Sequence, residues 1–169
     1  MTNGLIVQHK SLIQETGVTA QASLSPDDIA RASAEAMWKD DGASQGLGME
    51  IVHVSPGEAV LTMTIRPDMV NGHGIAHGGF IFLLADSAFA FACNSRNERT
   101  VAAQCNISFI RPGKLGDHLV ATAREISKTG RSGIYDVRVT VNDVAIAELR
   151  GHSRAIGGVW VPATEKHSP

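Results

Sequence analysis

FIFLLADSAFAFAC, residues 80–93, carries apolar side chains at nearly every helical angle and one carboxylate, Asp86. A helix that is apolar all round has no face to turn to water, so something must enclose it. The stretch is too short to cross a bilayer and holds an acid near its centre, so the enclosure has to come from the rest of the chain. Identifying what surrounds residues 80–95 therefore decides the fold.

The flanking sequence supplies strands. EIVHVS (50–55) and EAVLTMTIR (58–66) alternate apolar with polar or small residues across SPGE, which predicts an antiparallel hairpin ended by Pro67. After the helix come four more alternating runs, residues 100–110, 118–127, 133–141 and 144–156, separated by RPGKLGD, KTGRS and ND. Upstream, SPDDIARASAEAMWK predicts a helix to about Lys39, with Ser25 as cap, Pro26 at the first position, Asp27 and Asp28 at its positive end, and a Leu24–Ile29 staple. DGASQGLG then reads as a turn-rich loop. Helix, two strands, long helix and four strands give no βαβ alternation, so the class is α+β with one mainly antiparallel sheet. A sheet curved around the long apolar helix is the arrangement called a hotdog fold. The domain is placed at residues 25–158, with an N-terminal extension over 1–24 and a tail over 159–169.

Immediately before the long helix stands NGHGIAHGG, residues 71–79. Gly72, Gly74, Gly78 and Gly79 leave backbone N–H groups uncovered at a helix N-terminus, where unpaired donors and the positive dipole end suit a polarised carbonyl oxygen. Gly78 N–H is the candidate donor; the plainer role of these glycines is a tight turn and a close helix-to-sheet contact. Asp86 is the candidate catalytic carboxylate, since burying an acid for packing alone is costly. Its structural alternative is an ion pair with Arg96, Arg99 or Arg111. Gly78 and Asp86 lie eight residues apart, which is about 12 Å along one helix, too far to act on the same atom. Two chains with antiparallel helices would place each Asp86 opposite the other's Gly78, so a homodimer with two shared sites is expected.

Other chemistries find less support. His73 and His77 have an i, i+4 spacing and Asp86 is a conceivable third ligand, but no HExxH pattern is present and no metal is expected. Ser87 follows Asp86 directly without a G-x-S-x-G turn, so it either bonds back along the helix or lines the pocket beside Gly79 as a substrate contact. Phe80, Phe82, Phe89 and Phe91 are expected in the core rather than as an aromatic cage.

Asn71-Gly72, His77-Gly78-Gly79, Leu84-Ala85-Asp86-Ser87-Ala88, Ala92-Cys93-Asn94-Ser95, Phe109-Ile110-Arg111-Pro112-Gly113 and the closing His152-Ser153-Arg154-Ala155-Ile156-Gly157-Gly158 closely resemble the hotdog thioesterases of phenylacetate degradation, the PaaI type. The resemblance covers about residues 28–158. HGG-x6-D marks only the wider thioesterase group, and its combination with D-[ST]-A-x-A and A-C-N-S is the more specific signal. The resemblance implies hydrolysis of phenylacetyl-CoA, hydroxyphenylacetyl-CoA or related aryl-acyl-CoA thioesters without a cofactor, in a dimer of hotdogs paired into a homotetramer. It implies Asp86 as the catalytic carboxylate, Gly78 N–H as the carbonyl donor, and Asn71 and His77 as residues that shape and orient the site.

CoA carries phosphates, and Arg111, Lys114, Lys128 and Arg131 are the basic residues considered for its nucleotide end. Fifteen basic against seventeen acidic residues, with no Lys and Arg interleaved with aromatics, argue against a nucleic-acid partner. Cys93 and Cys105 lack CxxC spacing and are expected as core thiols in a reducing compartment, which with no signal-like segment points to the cytoplasm and to no membrane partner. Two competing readings are a hotdog hydratase or dehydratase, and a non-catalytic acyl-CoA-binding module that has no need of Asp86.

Overall fold

In the computed structural model, which describes residues 24–162, helix α1 spans Pro26–Trp38. Ser25 accepts from the Asp28 N–H, and the Asp28 side chain reaches back to the Ser25 N–H, closing a capping box. Of the expected N-terminal extension only Leu24 falls among the described residues; the last seven residues of the expected tail lie outside them as well.

The segment expected as a loop after α1 contains a short helix, α2, Gly42–Gly46. Asp41 accounts for the difference. Its side chain accepts from the Ser44 N–H at 3.0 Å, satisfying a first-turn donor in a segment otherwise poor in helix formers.

Strands β1 (Glu50–Ser55) and β2 (Glu58–Thr64) form the expected hairpin, turning at Pro56 and Gly57, the latter with φ +83°. A single 3-10 turn over Pro67–Met69 follows, and then the long helix α3, Gly78–Asn94. The remaining strands are β3 (Thr100–Phe109), β4 (His118–Thr129), β5 (Ser132–Val141) and β6 (Val144–Ala155). All pairings are antiparallel, in the order β1-β2-β4-β5-β6-β3. The strands and the long helix fall where alternation and apolarity place them, within two residues at most ends.

Helix α3 contacts all six strands. Six strands laid flat would be roughly 25 Å wide, against about 10 Å for a helix, so the sheet must curl around it. The inner face permits the approach because it is lined with small side chains, Ala121, Ala123 and Ala147, beside Leu61, Met63, Val137 and Leu149. Against them α3 buries Ile81, Leu84, Ala85, Ala88, Phe89, Phe91 and Ala92, while Phe80 and Phe82 are half-buried against the same core. Trp38 of α1 covers Phe91, with ring centroids 6.0 Å apart.

The A-C-N-S sequence at the helix end is a tie. Asn94 exchanges hydrogen bonds with the backbone of Thr100, the first residue of β3, both at 2.9 Å, and Ser95 Oγ accepts from the Gly57 N–H at 2.7 Å. Trp160 Nε1 adds a bond to Asn94 at 2.7 Å, and Arg99 lies 4.5 Å above the indole.

Phe89 has no exposed surface, and its ring fills the space above Gly151 in β6. A Cβ at 151 would come within 2.8–2.9 Å of three ring atoms, which no relaxed structure accepts. Gly151→Ala is expected to cost about 1–3 kcal/mol, read as a lowered urea midpoint at fixed protein concentration. Adding Phe89→Leu should recover part of the loss; a Gly151→Ala chain as stable as the parent would contradict this packing.

Candidate active site

The loop before α3 is held by its own backbone. Asn71 Oδ1 accepts from the N–H groups of His73 and Ile75 at 2.9 and 3.4 Å, and Gly74, with φ +73°, donates to the Asn71 carbonyl. Ala76 N–H reaches Gly113 and His77 N–H reaches Met69, at 2.9 and 2.8 Å. Only Gly74 of the loop glycines uses a left-handed conformation. Gly78 is small for another reason: a Cβ there would meet the Phe109 ring at 2.9–3.3 Å.

His77 is the N-cap of α3, its Nδ1 accepting from the Gly79 N–H at 3.0 Å. Nδ1 is therefore unprotonated and the ring proton sits on Nε2. Gly79 spends its donor in this cap. Gly78, at the first helical position, does not: among the described residues no acceptor meets its N–H. The expected donor is thus left open at the positive end of a 17-residue helix.

Asp86 is half-buried on α3 and faces the edge strand β3, where Cys105 Sγ donates to its Oδ1 at 3.7 Å. Burial pushes the Asp86 carboxyl above the usual carboxylate range, and the Cys105 contact opposes that shift. The arginines considered as ion-pair partners are engaged elsewhere. Arg96 pairs with Glu125 at 3.1 Å, Arg99 lies on Trp160, and Arg111 donates to the Ala145 carbonyl at 2.9 Å. Ser87 bonds Ser44 of α2 at 2.9 Å, so its hydroxyl is tied to the neighbouring helix. His73 and His77 are both exposed, and among the described residues no three His, Cys, Asp or Glu side chains gather in a metal-binding group.

One chain thus keeps the two expected groups apart. Gly78 joins Asn71, Ile75, Ile81, Phe109 and Ile110 around a mostly apolar groove of about 550 Å³. Asp86 joins Cys105, farther along the helix. Of the basic residues considered for CoA, Arg111 lines the Gly78 groove, whereas Lys128 pairs with Glu98 at 2.7 Å and Arg131 is bound to the Ala155 carbonyl. A larger depression on the outer sheet face is lined by charges already paired, Arg138 with Glu148 and Arg150 with Asp136, both at 2.7 Å.

Sequence reasoning missed Phe109, Ser44 and the position of Cys105. Cys93 is buried in the core as expected, whereas Cys105 is half-buried and turns its thiol to Asp86. Strand alternation puts Cys105, Ile107 and Phe109 on one face of β3, but nothing in a strand pattern says which helix residue that face meets.

Comparison with known proteins matches residues 73–147 to the thioesterase superfamily. The acyl-coenzyme A thioesterase PaaI of Escherichia coli (strain K12) is 44% identical over 127 residues, 75% of this chain and 91% of that protein. The structure of the Escherichia coli PaaI protein from the phenylacetic acid degradation operon superposes with a TM-score of 0.79 at 42% identity, covering 80% of this chain and 99% of that one. The smu.793 protein of Streptococcus mutans UA159, bound to acetyl CoA, matches with a TM-score of 0.64 at 27% identity, covering 66% of this chain and 90% of that one.

The folded chain holds the Asp86 proton more tightly than the unfolded chain does. That contribution is fully present below the unfolded carboxyl pKa and is lost as pH rises through the folded one, so at neutral pH the ionised side chain weakens the fold. Asp86→Asn is expected to raise Tm by a few degrees at pH 7.5, with the gain shrinking toward pH 4. A thermal series that shows no gain, or one independent of pH, would contradict the assigned burial.

Proposed function

The chain belongs to the thioesterase superfamily as a PaaI-type acyl-CoA thioesterase of the hotdog fold, and from that premise we propose that it hydrolyses phenylacetyl-CoA or hydroxyphenylacetyl-CoA to the free acid and CoA. The observation that carries the substrate reading is the groove beside the open Gly78 amide. Ile75, Ile81, Ile110 and the Phe109 ring give it apolar walls of the kind a flat aryl group fills, and Gly78 opens onto it.

In the reaction the thioester carbonyl oxygen accepts from Gly78 N–H, which stabilises the oxyanion as the carbonyl carbon becomes tetrahedral. Asp86 of the facing chain serves in one of two ways. As a base it takes a proton from water while the water oxygen bonds to the carbonyl carbon; as a nucleophile its own oxygen forms that bond, giving a mixed anhydride that water then cleaves. In both, the carbon–sulfur bond breaks and CoA departs as its thiolate, which takes up a proton. Burial makes the carboxylate more basic, which serves either role.

Support for a shared site comes from what one chain leaves uncovered. Helix α3 exposes Gly79 and Leu83 on the side where Asp86 and Ala90 are half-buried, and β3 is an unpaired sheet edge with Val101 and Phe109 exposed. A second copy laid antiparallel would cover both and bring its Gly78 to this Asp86. We propose pairing of such dimers into a homotetramer by analogy with the family. The acetyl CoA bound by the Streptococcus mutans relative supports CoA as the carrier, with Arg111 the basic residue nearest the groove. Free Cys93 and Cys105 support a reducing, cytoplasmic setting, and among the described residues no helix is long and apolar enough to cross a membrane.

Thiol release from phenylacetyl, hydroxyphenylacetyl, benzoyl, short-chain and long-chain CoA esters tests the proposal. Arylacetyl esters should lead by ~10-fold or more in kcat/KM, and Asp86→Asn should lose at least ~100-fold in kcat with KM little changed. A preference for long-chain esters would overturn the substrate reading, and an active Asp86→Asn chain would overturn the role of the carboxylate.

Site sharing has its own test. Gly78→Pro removes the N–H at a position proline favours, after a residue whose φ −66° and ψ 130° suit a following proline; the Cβ it adds would press on the Phe109 ring, so Phe109→Leu accompanies it in the same chain and Phe109→Leu alone serves as the active control. Co-expressed Asp86→Asn and Gly78→Pro chains, each inactive alone, should form hybrids with one intact site and recover about a quarter of the parental activity at random pairing. Inactive hybrids would place the two groups in the same chain's site.

A further inference from the structure

Among the described residues, Asp86 has no cation beside it and accepts from no backbone N–H, unlike the half-buried Asp41 and Asp117, which cap backbone donors. Asp28, Asp68, Asp136, Glu58, Glu98, Glu125 and Glu148 all pair with Arg or Lys. The titratable groups that interact with Asp86 are both thiols, Cys105 from β3 and Cys93 farther along α3. Of these, only Cys105 hydrogen-bonds the carboxylate. Its place is set by the fold. Cys105 alternates with Ile107 and Phe109 on the inner face of β3, and its register partner in β6 is Gly151, which has no side chain to compete for the space.

We infer that Cys105 is a positioning residue for the thioesterase reaction: its thiol holds Oδ1 of Asp86 so that Oδ2 stays directed at the substrate carbonyl or the attacking water. A thiol suits the task because it is a weak donor. An arginine in its place would fix the carboxylate more firmly, but as an ion pair it would strip the oxygen of the basicity the reaction needs. The proton remains on sulfur throughout, since burial, followed by the Asp86 charge, pushes the Cys105 thiol up to about 11, and burial pushes Cys93 to about 12. No bond to sulfur forms or breaks; the thiol orients and does not react.

The inference rests on Asp86 being the catalytic carboxylate, and its test has one arm that needs no turnover. The infrared S–H stretch falls where proteins otherwise absorb little, and the chain has only two thiols, so the Cys105→Ala difference spectrum assigns the band. The Cys105 band should move to higher frequency in Asp86→Asn and on acidification through the Asp86 titration. In the second arm, Cys105→Ala removes a bond that favours ionised Asp86, so the acid limb of kcat/KM for phenylacetyl-CoA should shift upward by ~0.3–1 pH unit. The same variant should lose ~3–10-fold in kcat with KM within about twofold. Cys105→Ser, which keeps a donor, should move the limb back toward the parent; a residue that merely filled space would lower kcat or Tm without moving it.

A band indifferent to both Asp86→Asn and pH, or an unmoved acid limb in Cys105→Ala, overturns the inference. If the parent chain cleaves no thioester, the functional reading is what fails, and the band still decides whether Cys105 holds Asp86.

Discussion

The need to enclose α3 governs the rest of this structure. An apolar helix of 17 residues gains most from burial if neighbours reach it on all sides, and a six-stranded sheet does so only when it curls and when its inner face is small enough for close approach. The alanines at 121, 123 and 147 and the glycine at 151 are the sequence's response, and Phe89 shows how little slack remains. Helix α1 closes one flank through Trp38 on Phe91. At the helix end, Asn94 and Ser95 convert the packing into a fixed geometry by bonding the start of β3 and the β1–β2 turn.

In the proposed reaction that same helix carries both halves of the chemistry, and the two depend on opposite properties of it. Its N-terminus is useful because it is left open, with His77 satisfying the Gly79 amide and nothing satisfying Gly78. Its middle is useful because it is nearly closed, which raises the pKa of Asp86 and strengthens it as a proton acceptor. On the proposed role of Asp86, stability is given up at that position for function: a carboxylate held without a cation weakens the fold at neutral pH, and the well-packed helix around it makes up the difference.

Much of this was legible in the sequence, for physical reasons that differ by element. Sequence alternation located all six strands, most clearly β4, β5 and β6, which have one buried and one outward face, and Ser25 with Asp28 announced α1 because a capping box is local chemistry. The apolarity of residues 80–93 implied enclosure, and enclosure by strands implied the fold. The segment after Trp38 misled because glycine and serine dominate it and a single cap, Asp41, outweighs their low helix propensity. The plainer reading of the glycines, a tight turn and a close helix-to-sheet contact, matches the structure: Gly74 takes the left-handed turn, and Gly78 lies against Phe109 of β3. Cys105 and Ser44 were illegible because their meaning lies in partners 19 and 43 residues away, set by how β3 and α2 dock on α3.

The proposed division of the site between two chains follows from the same geometry. A straight helix separates its first residue from its ninth by about 12 Å, and no side-chain rotation closes that gap, since an aspartate reaches only a few ångströms from its backbone. Bringing a donor and a carboxylate from one helix onto one carbon would require breaking the helix, and breaking α3 would undo the enclosure on which the sheet depends. A second, antiparallel copy resolves the conflict without altering either chain. The uncovered stripe of α3 and the unpaired edge of β3 lie where that proposed copy would sit, so the surface one chain leaves uncovered and the chemistry proposed for Gly78 and Asp86 would be met by the same partner.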